Sequence, residues 1–230
     1  MVEQAGARGL LSNEHFTVDG TLIEAWAGHK SFKRKGDDQH TPPYDPGNPS
    51  VNFHGERRTN ATHQSTTDPE ARLARKGPGK EARLCYAGHV QMDNRHGLVV
   101  NTRLTQASGI AEPTAALARQ RSRARGGSRW APTRVTIKKE LVRALREHRV
   151  TPHVAQKLNS AIDRRRTRHP GYLLSQRRRK RVEEIFGWLK TVAGLRKTRH
   201  RGIARVGWIF TFAAAPNNLV RMRNLPPVAT

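Results

Sequence analysis

Cysteine, membrane-length apolar runs and acidic residues are all scarce in this sequence, and each scarcity excludes a class of protein. The single cysteine, Cys85, excludes a disulfide framework and a cysteine-based zinc site. No apolar run is long enough to span a bilayer, and the opening residues lack the apolar core of a signal peptide. We therefore expect a cytoplasmic protein with no membrane partner.

The shortage of acidic residues leaves a strongly basic chain. Lysine and arginine number 43 against 18 aspartates and glutamates, which gives a formal net charge of +25 over 230 residues. Such an imbalance is typical of proteins that bind a polyanion, and nucleic acid is the usual one. Only 35% of the residues are hydrophobic, so we expect a small core, much loop and a single domain with room for an insertion.

The first half of the chain has the pattern of strands and loops. Residues 10–27 predict a first strand that runs into a short helical turn. Residues 28–82 are rich in glycine, proline and polar residues, and they predict a loop-rich insertion. Residues 82–106 predict a β-hairpin around a turn at Asp93–Gly97.

The second half adds helices to these strands. We predict an amphipathic helix over residues 138–150, a short strand over residues 151–156 and a basic helix over residues 175–202. An order of strand, hairpin, helix, strand and helix is typical of an α/β fold. The basic helix has an apolar side, formed by Val182, Ile185, Phe186 and Leu189.

Asp19 is a lone carboxylate at the end of an apolar run. It follows Phe16, Thr17 and Val18 and precedes Gly20, so the pattern predicts a strand, then the carboxylate, then a turn. A carboxylate buried at a strand end is costly unless a positive group meets it. A metal ion is one candidate for that group.

A second candidate carboxylate lies on the predicted basic helix. Arg179, Glu183 and Lys190 are spaced by about one and two helical turns, so all three point in roughly the same direction. A carboxylate flanked by two cations suits a divalent metal ion held beside a DNA backbone. The alternative is that Glu183 pairs with Arg179 on a solvated helix face, and spacing alone favours that alternative.

Longer blocks of the chain resemble one family of enzymes. "EHFTVDGTLIEAWA", "RHGLVVNTRLTQASG", "VTPHVAQ" and "RHPGYLLSQRRRKRVEEIFGWLKTVAGLRKTRHRG" are similar to successive blocks of bacterial insertion-sequence transposases of the DDE superfamily, insertion sequence 5 group. The resemblance runs, with gaps, from about residue 14 to residue 225. It implies a ribonuclease-H-like fold, with a mixed sheet flanked by helices, in one domain over residues 1–225 that includes the insertion and precedes a tail at 226–230.

The resemblance also implies a metal site and a reaction. These transposases use an Asp, Asp, Glu triad to hold two Mg²⁺ or Mn²⁺ ions, which serve DNA strand cleavage and transfer. Asp19 matches the first aspartate, and Glu183 matches the glutamate of a Tyr, Arg, Glu, Lys signature. Gln176 stands in place of the signature tyrosine, and Glu184 is the alternative to Glu183.

The basic residues of the signature are implied to bind DNA. Arg179 and Lys190 match its arginine and lysine, and Arg196 and Lys197 follow closely along the chain. Their expected partner is double-stranded DNA, at the element ends and the target, and a homo-oligomer is possible. Contacts of this kind hold phosphates and position the DNA without reading its bases.

The middle aspartate of the triad is missing at its expected place. Relatives carry a block that reads roughly Val-Thr-Leu-Gly-Ala-Asp-Lys-Gly-Tyr-Asp after the hairpin, whereas this chain has GSRWAPTRVTI at residues 127–137. One set of synonymous codons for that stretch, read two bases later, encodes the whole family block. We therefore interpret residues 117–138 as translated out of frame, with the aspartate codon straddling Pro132 and Thr133.

The missing aspartate sets the expectation for activity. Neither Pro132 nor Thr133 holds a dication as a carboxylate does, and proline also removes a hydrogen-bond donor from the expected central fourth strand. Relatives usually carry a helical domain before the first strand, so the chain resembles a truncated transposase. The alternatives are an active transposase and a non-catalytic, basic DNA-binding remnant, and the missing aspartate favours inactivity.

Other conspicuous residues have simpler interpretations. We expect Asp93 and Asp163 to be solvated. The KGPGK segment at residues 76–80 is a candidate phosphate contact, but its glycines and proline more simply indicate a turn. The histidines show no paired metal spacing. Five aromatic residues are expected in the core rather than stacked on bases: Phe186, Trp188, Trp208, Phe210 and Phe212.

Overall fold

The structure is a computed structural model, and it describes residues 1–12, 15–36, 58–77, 79–107, 129–132, 151–152, 168, 170–178 and 180–225. The described strands are β1 (His15–Glu24), β2 (Phe32–Arg34), β3 (His63–Ser65), β4 (Arg72–Arg75), β5 (Ala82–Asp93), β6 (Val99–Gln106), β7 (Arg129–Pro132) and β8 (Thr151–Pro152). The described helices are α1 (Val2–Ala7), α2 (Pro170–Arg178), α3 (Arg181–Thr191) and α4 (Ile203–Asn224), with a 3-10 turn at His29–Ser31.

A mixed sheet forms the centre of the fold. Its strand order is β4-β5-β1-β7-β8, with β6 also paired to β5. β1 is antiparallel to β5, whereas β7 is parallel to β1 and β8 is parallel to β7. β2 and β3 form a separate two-stranded sheet. The mixed sheet and its helices confirm the α/β class expected from the sequence.

The hairpin predicted over residues 82–106 is present as β5 and β6. Its turn closes locally: Gly97 N donates to the Asp93 carbonyl at 2.9 Å, and Gly97 takes a positive φ of 70° that suits glycine. The Asp93 carboxylate is fully buried and accepts from Arg95 N at 2.8 Å and Ser12 N at 2.7 Å. The expectation that Asp93 is solvated was therefore wrong, because its carboxylate holds both the turn and the N-terminal segment.

One face of the sheet packs against α3 and α4 to form the main core. Side chains alternate between the two faces of a strand, so Ile23 on β1 shares a face with Tyr86 and Val90 on β5. Full burial of side chains of this size contributes about 1.5–3 kcal/mol each relative to exposure. The helices contribute Val182, Ile185, Phe186, Leu189, Val206 and Phe210 to the same cluster.

A buried hydrogen-bond network sets the position of α4. Tyr86 Oη donates to the Asp68 carboxylate, at 2.6 Å from Oδ1 and 2.7 Å from Oδ2, and accepts from Gly202 N at 3.1 Å. Burial, and next the hydrogen bond to Asp68, raise the pKa of Tyr86. Ile203 N donates to Glu70 Oε2 at 2.8 Å, which satisfies a free donor of the first helical turn. The insertion segment thus fixes where α4 begins.

One expectation for the first half needs correction. The helical turn expected after the first strand was wrong, because residues 21–24 continue β1 and pair with β5 up to Glu24. The described part of the loop-rich insertion expected over residues 28–82 also contains the short strands β2, β3 and β4. Backbone pairing with distant strands stabilises these short segments, and local sequence patterns do not predict that pairing.

The basic helix expected over residues 175–202 is two helices in the structure. α2 ends at Arg178 and α3 begins at Arg181. α3 ends at Thr191, after which Gly194 takes a φ of 66° and Leu195 N donates to the Leu189 carbonyl at 2.8 Å. None of the described helices is both long and apolar enough to cross a lipid bilayer.

Several expected features lie outside the described residues. These are the amphipathic helix over residues 138–150, Asp163, Arg179, the tail at residues 226–230 and most of the segment interpreted as out of frame. Two parts of this region are described: β7 at residues 129–132 and β8 at residues 151–152, where a short strand was expected.

Replacing Gly88 with alanine tests the contact between the sheet and α4. A Cβ at Gly88 would lie 2.8 Å from the Phe210 ring and 3.1 Å from Ile23 Cδ1. We expect Gly88→Ala to lower the free energy of unfolding by about 1–3 kcal/mol, measured by urea denaturation.

The matched control is Gly187→Ala on α3, where a Cβ meets nothing within 4 Å. This change should raise the free energy of unfolding by about 0.5–1 kcal/mol, because glycine is a poor helix former. A Gly88→Ala protein as stable as the wild type would contradict the packing of Phe210 against β5.

Candidate functional site

Asp19 lies in the middle of β1. It pairs with Val90 of β5 and is half-buried, and its carboxylate accepts from Gly20 N at 2.8 Å. The alternation along β1 places Asp19 on the same face as Ile23, which packs in the core cluster with residues of α3. Asp19 and the helix that carries Glu183 therefore lie on one side of the sheet.

The other neighbour of β1 is β7, in the segment interpreted as out of frame. β7 runs parallel to β1, and its last residue, Pro132, pairs with Val18. Proline has no backbone N–H, so Pro132 cannot donate a hydrogen bond to a neighbouring strand. The next sequence position, Thr133, lies outside the described residues. The described part of β7 brings no carboxylate beside Asp19.

Glu183 is exposed in the first turn of α3, where a carboxylate interacts favourably with the helix dipole. Its possible ion-pair partner Arg179 lies outside the described residues, so that alternative stays open. Glu184 has a different role, because its Oε2 lies 2.7 Å from Arg221 Nη1 on α4. That ion pair joins the two helices.

The described residues contain no group of three or more His, Cys, Asp or Glu side chains that could hold a metal ion. The two candidate ligands that lie within this part of the chain are Asp19 and Glu183. Two divalent cations need several carboxylates to neutralise them and fix their geometry. The described donor set does not fit a two-metal centre.

A cluster of cations surrounds the last turn of α3. Burial, and next the positive charges of Lys76 and Arg196, lower the pKa of the half-buried Lys190. Lys76 follows β4 and Arg196 follows α3, so three separate segments bring these charges together. We call these residues the Lys190 cluster. The sequence predicted Lys190 and Arg196 as DNA ligands; for the segment that begins at Lys76 a turn was preferred over a phosphate contact, because of the glycines and proline that follow it.

Lys197 is engaged elsewhere. Its Nζ lies 3.3 Å from Glu24 Oε1, and Arg83 Nη1 lies 2.7 Å from Glu24 Oε2. Burial raises the pKa of Glu24, but the hydrogen bonds and charges of Arg83 and Lys197 outweigh this effect and lower it. Lys197 thus ties the segment after α3 to the end of β1, and a DNA contact by Lys197 stays a prediction.

A second group of cations surrounds the hairpin turn. Arg181 Nη1 donates to the Arg95 carbonyl at 2.8 Å, which places the start of α3 against the turn. Burial lowers the pKa of His96. The negative charge of Asp93 opposes this shift, and the positive charges of Arg95, Arg181 and Arg178 add to it. We call Arg95, Arg178 and Arg181 the turn cluster. No ion pair joins these arginines to a carboxylate among the described residues.

The aromatic residues divide into two groups. Phe186 and Phe210 are buried as expected, and Trp188 is partly buried with its Nε1 donating to the Ala213 carbonyl at 3.3 Å. Trp208 and Phe212 were expected in the core, and this was wrong: they are 63% and 58% exposed. They lie on the side of α4 that faces away from the sheet.

The Glu24 ion pairs generate a prediction about pH. Because Arg83 and Lys197 hold the pKa of Glu24 below its ordinary value of 4.5, the stabilisation is fully present above that pH. It is lost as the pH falls through the lower pKa of the folded state. We expect Glu24→Gln to lower the free energy of unfolding at neutral pH by roughly 0.5–1 kcal/mol. The difference from the wild type should shrink below pH 4.5.

Thermal denaturation at several pH values measures this difference. Glu81→Gln is the matched control, since Glu81 is 62% exposed and its Oε2 lies 2.9 Å from Arg83 Nη2. A loss of stability in Glu24→Gln that does not change with pH would contradict the ion-pair explanation.

Residues 133–223 match a family model described as a transposase DDE domain. This range covers less than half of the chain; it contains Glu183, Lys190, Arg196 and Lys197 and leaves Asp19 outside. The match supports a relationship to DDE transposases. The comparison with curated proteins gives no match.

Among solved structures, the chain is similar to a pre-cleavage Mos1 transpososome at 13% identity, with 94% of this chain and 59% of that chain covered and a TM-score of 0.29. A Mos1 transposase paired-end complex with the left transposon end gives 12% identity, coverages of 84% and 58% and a TM-score of 0.29. The chain spans less than two thirds of the length of these proteins. TM-scores this low support no conclusion about fold or function.

Proposed function

We propose that this chain is a DDE transposase derivative that binds double-stranded DNA and does not cleave it. The observation that carries the proposal is the parallel register of β1 and β7, which brings the end of β7, at Pro132, to within one residue of the level of Asp19. Neither Pro132 nor Thr133 supplies a carboxylate at that level. Asp19 and Glu183 then remain as an incomplete ligand set.

The missing ligand explains the loss of cleavage in physical terms. In a two-metal transposase, Mg²⁺ or Mn²⁺ ions activate the attacking oxygen and stabilise the leaving oxygen of the DNA strand. One carboxylate on β1 and one on α3 do not neutralise two dications. The fold position of Asp19, on the face that packs α3, supports its identification as the first member of the set.

The finer parts of the proposal follow from the sequence blocks. We propose that the chain derives from the insertion sequence 5 group, that its sheet is ribonuclease-H-like and that residues 117–138 are translated out of frame. The order β5-β1-β7-β8, with β1 antiparallel to β5 and parallel to β7, supports the ribonuclease-H-like sheet. We also propose that the protein is cytoplasmic and that an oligomer forms on DNA.

DNA binding is supported by the placement of the cations. The Lys190 cluster and the turn cluster each gather positive charges from separate segments, and like charges held together favour an anionic partner. The net charge of +25 adds a long-range attraction to any polyanion. Contacts of lysine and arginine with phosphates release counterions from DNA, so this kind of binding depends steeply on salt.

The first test is the salt dependence of duplex binding. We expect the affinity for a blunt duplex to fall by about 10³-fold or more between 50 and 200 mM NaCl, as for proteins that neutralise several phosphates. Fluorescence anisotropy of a labelled duplex measures it. Lys190→Gln should reduce the slope of log affinity against log salt by about 1.

Lys33→Gln is the control, because it removes the same charge from an exposed residue of the separate β2–β3 sheet. A shallow salt dependence, or equal effects of the two substitutions, would speak against DNA binding through the Lys190 cluster.

The second test is cleavage. We expect the wild type to nick supercoiled plasmid no faster than Asp19→Asn does, with either Mg²⁺ or Mn²⁺, on agarose gels. A repaired chain, with residues 127–136 replaced by the family block quoted above, should gain nicking that Asp19→Asn abolishes. Nicking by the unrepaired wild type that depends on Asp19 would show that the enzyme is active and refute the proposed loss.

A further inference from the structure

Two large aromatic side chains on α4, Trp208 and Phe212, are exposed to solvent and do not pack in the core. Trp208 and Phe212 are one helical turn apart, their ring centroids lie 5.3 Å apart and their planes differ by 5°. The adjacent Val206 and Phe210 are fully buried on the other side of the helix. The exposed pair therefore adds nothing to the core, and each ring loses the stabilisation that burial would give.

The charges around the pair indicate what covers it. No aspartate or glutamate follows Glu184 anywhere in the sequence, and the charged residues of α4 itself are all arginines. Two carboxylates contact α4 in the described part of the chain: Glu70 at Ile203 N, and Glu184, which is paired with Arg221. Arg205 is exposed three residues before Trp208, so it lies on the same face of the helix. A second copy of the chain would bring this cationic helix against itself, whereas a nucleic-acid strand brings both flat bases and negative phosphates.

We propose that the stacked Trp208–Phe212 pair is a platform on which an unpaired DNA base stacks, with Arg205 contacting the neighbouring phosphate. This inference rests on the proposed function in that the chain binds DNA. It adds a contact with single-stranded DNA, which the phosphate contacts of the two cationic clusters do not require. Aromatic rings accept any base in this way, because every base has a flat π face.

Binding of labelled oligothymidylate and of a blunt duplex to the full chain tests the platform. We expect Trp208→Ala and Phe212→Ala each to weaken single-strand binding about tenfold, the size of one lost base–aromatic stack. Duplex binding should not change. Leu219→Ala is the matched control, since Leu219 is a 54% exposed apolar residue on the same helix and should leave both affinities unchanged.

A conservative variant removes any dependence on how well the alanine variants fold. Trp208→Phe keeps a ring in the platform, so its single-strand affinity should stay close to that of the wild type. Oligothymidylate should quench part of the tryptophan fluorescence of the wild type, and Trp208→Phe should lose that part.

Three outcomes would overturn the platform. They are alanine variants no weaker than Leu219→Ala, unchanged quenching in Trp208→Phe, and a dimer in analytical ultracentrifugation that Trp208→Ala dissociates, which would show that a second copy covers the rings. Failure of the proposed function is distinguishable from failure of the platform, because the wild type would then not bind the duplex, whatever its affinity for single-stranded DNA.

Discussion

The buried hydrogen bond between Tyr86 and Asp68 is the contact on which the position of α4 depends. It joins the insertion segment to the central hairpin, and through Gly202 N it holds the residue that immediately precedes α4. A buried carboxylate is costly unless its oxygens are satisfied, so this network tolerates little displacement. The start of α4 determines which residues of that helix meet the sheet, and hence that Val206 and Phe210 are buried while Trp208 and Phe212 are exposed.

The pairing of β1 and β7 has the same importance for the candidate site. A parallel register allows a residue on one strand to stand beside a residue on its neighbour, and here it brings Pro132 to within one residue of the level of Asp19. A proline ring or a threonine hydroxyl cannot replace a carboxylate charge, so the proposed loss of a metal ligand at this level is compatible with a strand that still pairs with β1.

The cations of the described residues fall into two groups. Lys197 pairs with Glu24, and Arg83 pairs with Glu24 and Glu81, whereas the Lys190 cluster and the turn cluster lack such carboxylate partners among the described residues. Cations paired with carboxylates are thus distinguished from cations whose charge is not compensated by a described carboxylate; Arg181 is among the latter, although its hydrogen bond to the Arg95 carbonyl also holds α3 against the turn. Net charge alone does not make that distinction, since each lysine and arginine contributes equally to it.

The sequence alone determined the features that depend on neighbouring residues. The hairpin at residues 82–106 was predictable because its turn, from Asp93 to Gly97, is closed by contacts within a few residues. The α/β class and Asp19 on a strand followed from apolar patterns of the same local kind. Local patterns did not reveal that residues 21–24 extend β1, because that strand is stabilised by pairing with residues some sixty positions away.

Only the tertiary structure decided which charges and rings meet. The charge of Lys76 lowers the pKa of Lys190, Lys197 pairs with Glu24, and the buried Asp93 accepts a hydrogen bond from Ser12 N. Each of these interactions links segments far apart in the chain. The same holds for Trp208 and Phe212, whose apolar character predicted burial although the sheet meets the opposite side of α4. A sequence pattern specifies what a helix face is made of, but the packing of the other elements determines whether that face is covered.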